Sequence, residues 1–124
     1  MKKLKPTELL SVGFVIDGDL QQQVLIRAIG PALAEPPFNV VQVAIDPTLS
    51  LFKETTRIEG NNDWGGFEVL AVAANRAGAF AISNGASKDA VLLSTLAPGA
   101  YSIQVNDGAR LGGNILIEVY ELKK

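Results

Sequence analysis

A chain of 124 residues, 48% hydrophobic and 19% charged, is long enough to bury a proper core, and a single domain over 1–124 is expected. Its 11 basic and 13 acidic residues leave a formal net charge of -2, which gives no electrostatic footprint for nucleic acid or an anionic membrane surface. The sequence has neither cysteine nor histidine, which excludes disulfides, thiol nucleophiles, Ser/His/Asp triads, structural zinc sites and imidazole switches.

Met1-Lys2-Lys3-Leu4-Lys5 opens the chain, and residues 1–8 read as a flexible basic arm. Pro6, Thr7 and Glu8 break any resemblance to a signal peptide, and the apolar run 9–16 ends at Asp17 without a small-residue cleavage pattern, so no export signal is read. No stretch approaches the roughly 18 apolar residues of a membrane helix, so membrane insertion is not expected. Runs 9–16 and 24–29 flank Asp17-Gly18-Asp19 and read as a hairpin. Pro31, Pro36, Pro37 and Pro47 make 31–47 a long crossing loop, with Val40, Val41 and Val43 able to form a short edge segment. Segments 49–52 and 57–59 read as two short strands around Lys53-Glu54-Thr55. Phe67, Leu70, Ala71 and Ala74 recur at helical spacing, which predicts one short helix near 67–76 ending at Gly78. Three further strands, 90–96, 100–105 and 114–122, are divided by Ala97-Pro98-Gly99 and Asn106-Asp107-Gly108. The expected fold is all-β, an antiparallel β-sandwich of jelly-roll or Ig-like type with about 7–8 strands.

An ordered set of motifs carries a resemblance. Val24-Leu25-Ile26-Arg27-Ala28-Ile29-Gly30-Pro31, Asp46-Pro47-Thr48-Leu49-Ser50-Leu51, Asn62-Asp63-Trp64-Gly65, Ala97-Pro98-Gly99-Ala100-Tyr101 and Glu118-Val119-Tyr120 follow one another in that order. The whole resembles a repeat module of large bacterial secreted and surface proteins, and more distantly is similar to the pre-peptidase C-terminal β-sandwich. The resemblance implies an extracellular or cell-surface accessory module, linked to other domains. Glu35-Pro36-Pro37-Phe38 and the charged turn 53–57 depart from the pattern, where a shorter glycine-containing turn is usual.

Three features are candidate sites. Asn61, Asn62 and Asp63, joined in space by Asp46 or Asp89, offer hard oxygen donors suited to Ca²⁺, a ligand that some pre-peptidase modules bind. The competing reading, which takes precedence, makes Asn62 and Asp63 an Asx-turn, and the spacing of an EF-hand is absent. Trp64 is either a stacking platform for a sugar or, preferred for a lone Trp, a plug at the end of the sandwich. Arg27, inside an apolar strand, needs carboxylate or carbonyl partners, and a structural ion pair with Asp46, Asp63 or Glu118 is expected in preference to ligand recognition, since no second basic residue is near to form a clamp. The carboxylate pairs Asp17/Asp19 and Glu118/Glu121 have no reason to converge as a glycosidase pair, and Gly65-Gly66 and Gly112-Gly113 lack the context of a phosphate cradle.

The functional expectation is a non-catalytic extracellular structural or adhesive module that self-assembles through edge strands, with itself or other domains of a surface protein as partner and no cofactor. The alternative is an accessory module that binds calcium or carbohydrate.

Overall fold

The computed structural model describes residues 1–122. Eight strands, β1 (Lys2–Leu4), β2 (Leu10–Ile16), β3 (Gln22–Ile29), β4 (Pro47–Lys53), β5 (Thr56–Asn61), β6 (Ala90–Leu96), β7 (Gly99–Asp107) and β8 (Gly113–Leu122), form two antiparallel sheets, with helix α1 at Glu68–Ala77. The first sheet has the order β1-β8-β3-β6 and the second β2-β7-β4-β5. That interleaved order is the jelly roll, which decides between the two sandwich types the sequence allows.

The strand positions follow the patterns of the sequence, but the pairing of β2 and β3 does not. They are not a hairpin: β2 bonds β7 from Leu10↔Val105 to Ile16↔Gly99, whereas β3 lies between β6 and β8 in the other sheet. The turn after Ile16 carries the chain across the sandwich. Among the described strands, only β4 and β5 are sequence neighbours that pair with each other, turning at Glu54, whose φ is 56°. The basic arm is not free throughout, because Lys2–Leu4 pairs with Gly113–Ile115 of β8 and Leu4 is buried. The Pro-rich loop opens with a 3-10 turn, Pro31–Ala34, and touches the first sheet at the parallel bridge Val43↔Asn114.

The main core lies between the sheets, where Val24, Ile26 and Ala28 of β3 meet Leu49 and Leu51 of β4 and Ile103 and Val105 of β7. Each fully buried aliphatic side chain contributes about 1.5–3 kcal/mol by leaving water. A second cluster covers the outer face of the first sheet. Leu25, Val91 and Leu122 pack there against Trp64, Ala73 and Ala74, with Leu70 and Ala77 beside them. The inward stripe of α1 is therefore Leu70, Ala73, Ala74 and Ala77, while Phe67 and Ala71 are exposed. The helix stops at Gly78, which adopts φ 75°, where its N–H and that of Ala79 cap the carbonyls of Asn75 and Ala74.

Candidate functional site

On the outer face of the first sheet, β3 and β8 place Arg27 directly opposite Glu118. Arg27 is 1% exposed, and its Nε donates to Glu118 Oε1 at 2.7 Å. Nη1 donates to the Phe80 carbonyl at 2.7 Å, and the guanidinium lies 4.4 Å from the centre of the Phe80 ring. Of the three partners expected for Arg27, Glu118 is the one that pairs. The second Glu118 oxygen accepts the Tyr120 hydroxyl at 2.5 Å, and burial, followed by this carboxylate, raises the tyrosine pKa. Nη2 of Arg27 is buried without a hydrogen-bond partner among the described residues.

Of the five proposed calcium donors, Asp89 and Asn61 are engaged in structural bonds. Asp89 is wholly buried, its Oδ1 accepting the N–H groups of Gly30 and Ala32 at 2.8 and 3.2 Å, and its Oδ2 accepting the Ser87 hydroxyl at 2.7 Å. It anchors the entry to the 3-10 turn. Asn61 accepts the Val91 N–H through Oδ1 and donates through Nδ2 to the Asp63 carbonyl, a local side-chain-to-backbone bond made by Asn61 rather than by Asn62 or Asp63. The side chains of Asn62 and Asp63 face solvent. Asp46 retains one buried carboxylate oxygen without a partner, and its pKa is raised, first by burial and then by the nearby Asp63 and Asp107, with Lys88 opposing. Among the described residues no group of three or more acidic side chains is placed to hold a metal ion.

Trp64 lies in the cluster between α1 and the outer face of the first sheet, not at the end of the sandwich. It is 6% exposed, and its Nε1 donates to the Asn84 carbonyl and Ser87 hydroxyl at 3.1 and 3.2 Å. Asp17 and Asp19 sit in the exposed turn after β2, and Glu121 is exposed while Glu118 belongs to the Arg27 pair.

The sequence reading missed Asp107. Its buried carboxylate accepts four backbone N–H groups, those of Asp46 and Ala109 through Oδ1 and those of Leu111 and Gly112 through Oδ2, at 2.8–3.2 Å. It thereby ties the β7–β8 connection to the loop before β4. An Asp beside Gly108, followed by the positive-φ residues Arg110 and Gly112, is the available sequence signal.

The four sheet edges differ in protection. β1 is three residues long and carries Lys2 and Lys3; β5 carries Arg57 and Glu59. β6 is shielded by β5, whose Glu59 accepts the Ser94 hydroxyl and whose Asn61 accepts the Val91 N–H. β2 has no such device: Leu-Ser-Val-Gly-Phe-Val-Ile contains no charge and no proline, and it bonds a strand on one side only among the described residues. Val15 and the preceding Leu9 are exposed, while Leu10, Val12 and Phe14 are only partly covered.

Comparison with protein-family models, curated proteins and solved structures gives no match.

Proposed function

We propose that the chain is a non-catalytic structural or adhesive module of the extracellular kind, which associates with copies of itself through β2. The observation that carries this reading is the unprotected β2 edge, set against three edges that are short, charged or covered. An unpaired strand edge offers a row of backbone donors and acceptors to a partner strand, and a closed two-fold arrangement would pair β2 antiparallel with its copy. The absence of histidine and cysteine, and the commitment of Glu118 and Asp89 to internal bonds, support a non-catalytic role. The resemblance of the ordered motifs to bacterial secreted and surface modules supports the extracellular setting.

Light scattering coupled to size exclusion tests the assembly directly. The wild-type chain should form dimers or larger species at about 100 μM, a range in which weak edge contacts populate. Ser11→Lys/Val15→Lys, which changes only exposed positions of β2, should be monomeric with an unaltered melting temperature. A wild-type monomer up to millimolar concentration, or an oligomer that survives the double substitution, overturns the proposal.

A further inference from the structure

Along β8 the first sheet lacks part of a strand. β1 pairs only with Gly113–Ile115, whereas β3 takes the other side of Leu116–Leu122. On the β1 side this flank therefore meets no strand among the described residues. The gap opens onto the main core. Leu10, Val12 and Phe14 of β2 and Ile117 of β8 pack against that core while only partly buried, and all four border this side of the sandwich. Val119, in register with the core residue Ile26 of β3, is 38% exposed there.

We propose that a second copy of the chain covers this opening with its own, so that both sheets run on from one copy into the other; this rests on the β2 pairing proposed above and adds a second layer to it.

Position, area and charge support the second copy as occupant. β5 covers β6 at one side of the sandwich through Asn61 and Glu59, which leaves β2 and the β8 flank together at the other. A two-fold axis that pairs β2 antiparallel with its copy runs normal to the sheets and passes through both layers. It sets the β8 flanks against each other as well. The β2 edge, about 23 Å long and one layer of about 10 Å deep, would bury only about 230 Å² on each copy, far below the roughly 800 Å² of a stable interface. Two layers double that area and reach the range of weak, transient association. Val119 is the middle residue of Leu116–Leu122, so it lies near the axis and meets its own copy. Glu121 then faces Ile117, and Glu118 is already paired with Arg27, so like charges do not oppose one another.

Sedimentation equilibrium of the full chain at about 100 μM tests the proposal. Val119→Lys should weaken self-association at least about hundredfold, because two lysines would meet in an apolar seam. Asn62→Lys adds the same charge at an exposed loop position and should leave association unchanged. The chain has no cysteine, so Val119→Cys gives a second readout that keeps the seam apolar. Under oxidation it should link two copies at least about tenfold faster than Val72→Cys, on the exposed side of α1. If Val119→Lys does not fold, the two cysteine variants decide. Undiminished association of folded Val119→Lys, or equal linking of the two cysteine variants, overturns the proposal. A dimer lost with Ser11→Lys/Val15→Lys but kept with Val119→Lys refutes the β8 contact alone, and the reverse pattern refutes the β2 contact alone.

Discussion

The two sheets of this sandwich solve different problems with the same kind of strand. In the second sheet, β7 alternates without a break: Tyr101, Ile103, Val105 and Asp107 point inward and are buried, while Ser102, Gln104 and Asn106 stay half exposed. In the first sheet, β3 is buried at every position from Val24 to Ile29, because the inter-sheet core covers one face and α1 with the loops beside it covers the other. A strand with a dry outer face cannot present polar groups to water, so any charge it carries must find a fixed partner. Arg27 is that case, and its partner comes from the neighbouring strand.

Breaking the covered face should have the largest effect. Arg27→Leu leaves Glu118 without its counter-charge and should cost about 3–5 kcal/mol in urea unfolding. Adding Glu118→Leu should recover much of that loss, since a well-packed apolar pair often matches a buried ion pair. Equal losses in the single and double variants would show that shape, not charge, is the requirement. On the bare face, Gln104→Ala should change stability by no more than about 0.5 kcal/mol.

A middle-sized effect should follow Asp107→Asn, which cannot offer both oxygens to the four N–H groups that converge there. About 1–3 kcal/mol should be lost, with amide exchange accelerating at Leu111 and Gly112 or at Asp46 and Ala109, according to which pair the amide abandons.

A smaller effect, and one that depends on pH, belongs to Asp46. Its pKa is raised on folding, chiefly by burial, so the folded chain holds that proton more firmly than the unfolded chain. The associated stability is complete below the ordinary aspartate value of about 3.9 and is lost as pH rises through the raised folded value. Asp46→Asn removes this contribution. The stability difference between variant and wild type should therefore rise in the variant's favour as pH climbs through that window and level off above it, as read by thermal melts. A difference that does not change with pH would show that Asp46 is not desolvated in solution.

Much of this contrast can be read from the residues. Alternation in 101–105 shows a sheet with one wet face, and the apolar run 24–29 shows a strand covered on both sides. Gly78 marks the helix end because a left-handed residue is needed there. Period-two patterning assigns side chains to faces but does not say which sheet a strand joins, so β2 and β3 look like a hairpin although they belong to opposite sheets. β1 is hidden for another reason: in three residues its only buried side chain is Leu4, and two lysines dominate its composition. At the site, Arg27 announces the need for a partner, but Glu118 lies 91 positions away and is distinguished from Asp46 and Asp63 only by strand register. Asp89 and Asn61 look like ligands because oxygen-rich turns bind cations and backbone N–H groups alike, and only the fold shows which they meet.

The position of β8 has a consequence for how the chain acquires its shape. β8 lies between β1 and β3, so these two earlier strands have no bond to each other and remain apart until the last strand enters the slot between them. During synthesis the second sheet can close as soon as β7 emerges, whereas the first stays divided, with β1 alone and one side of β3 open. In that interval the apolar β3 presents an open edge of its own, as β2 does in the finished molecule. Crowded copies at this stage therefore risk a wrong strand in the slot, and the rate of β8 insertion sets the length of that risk.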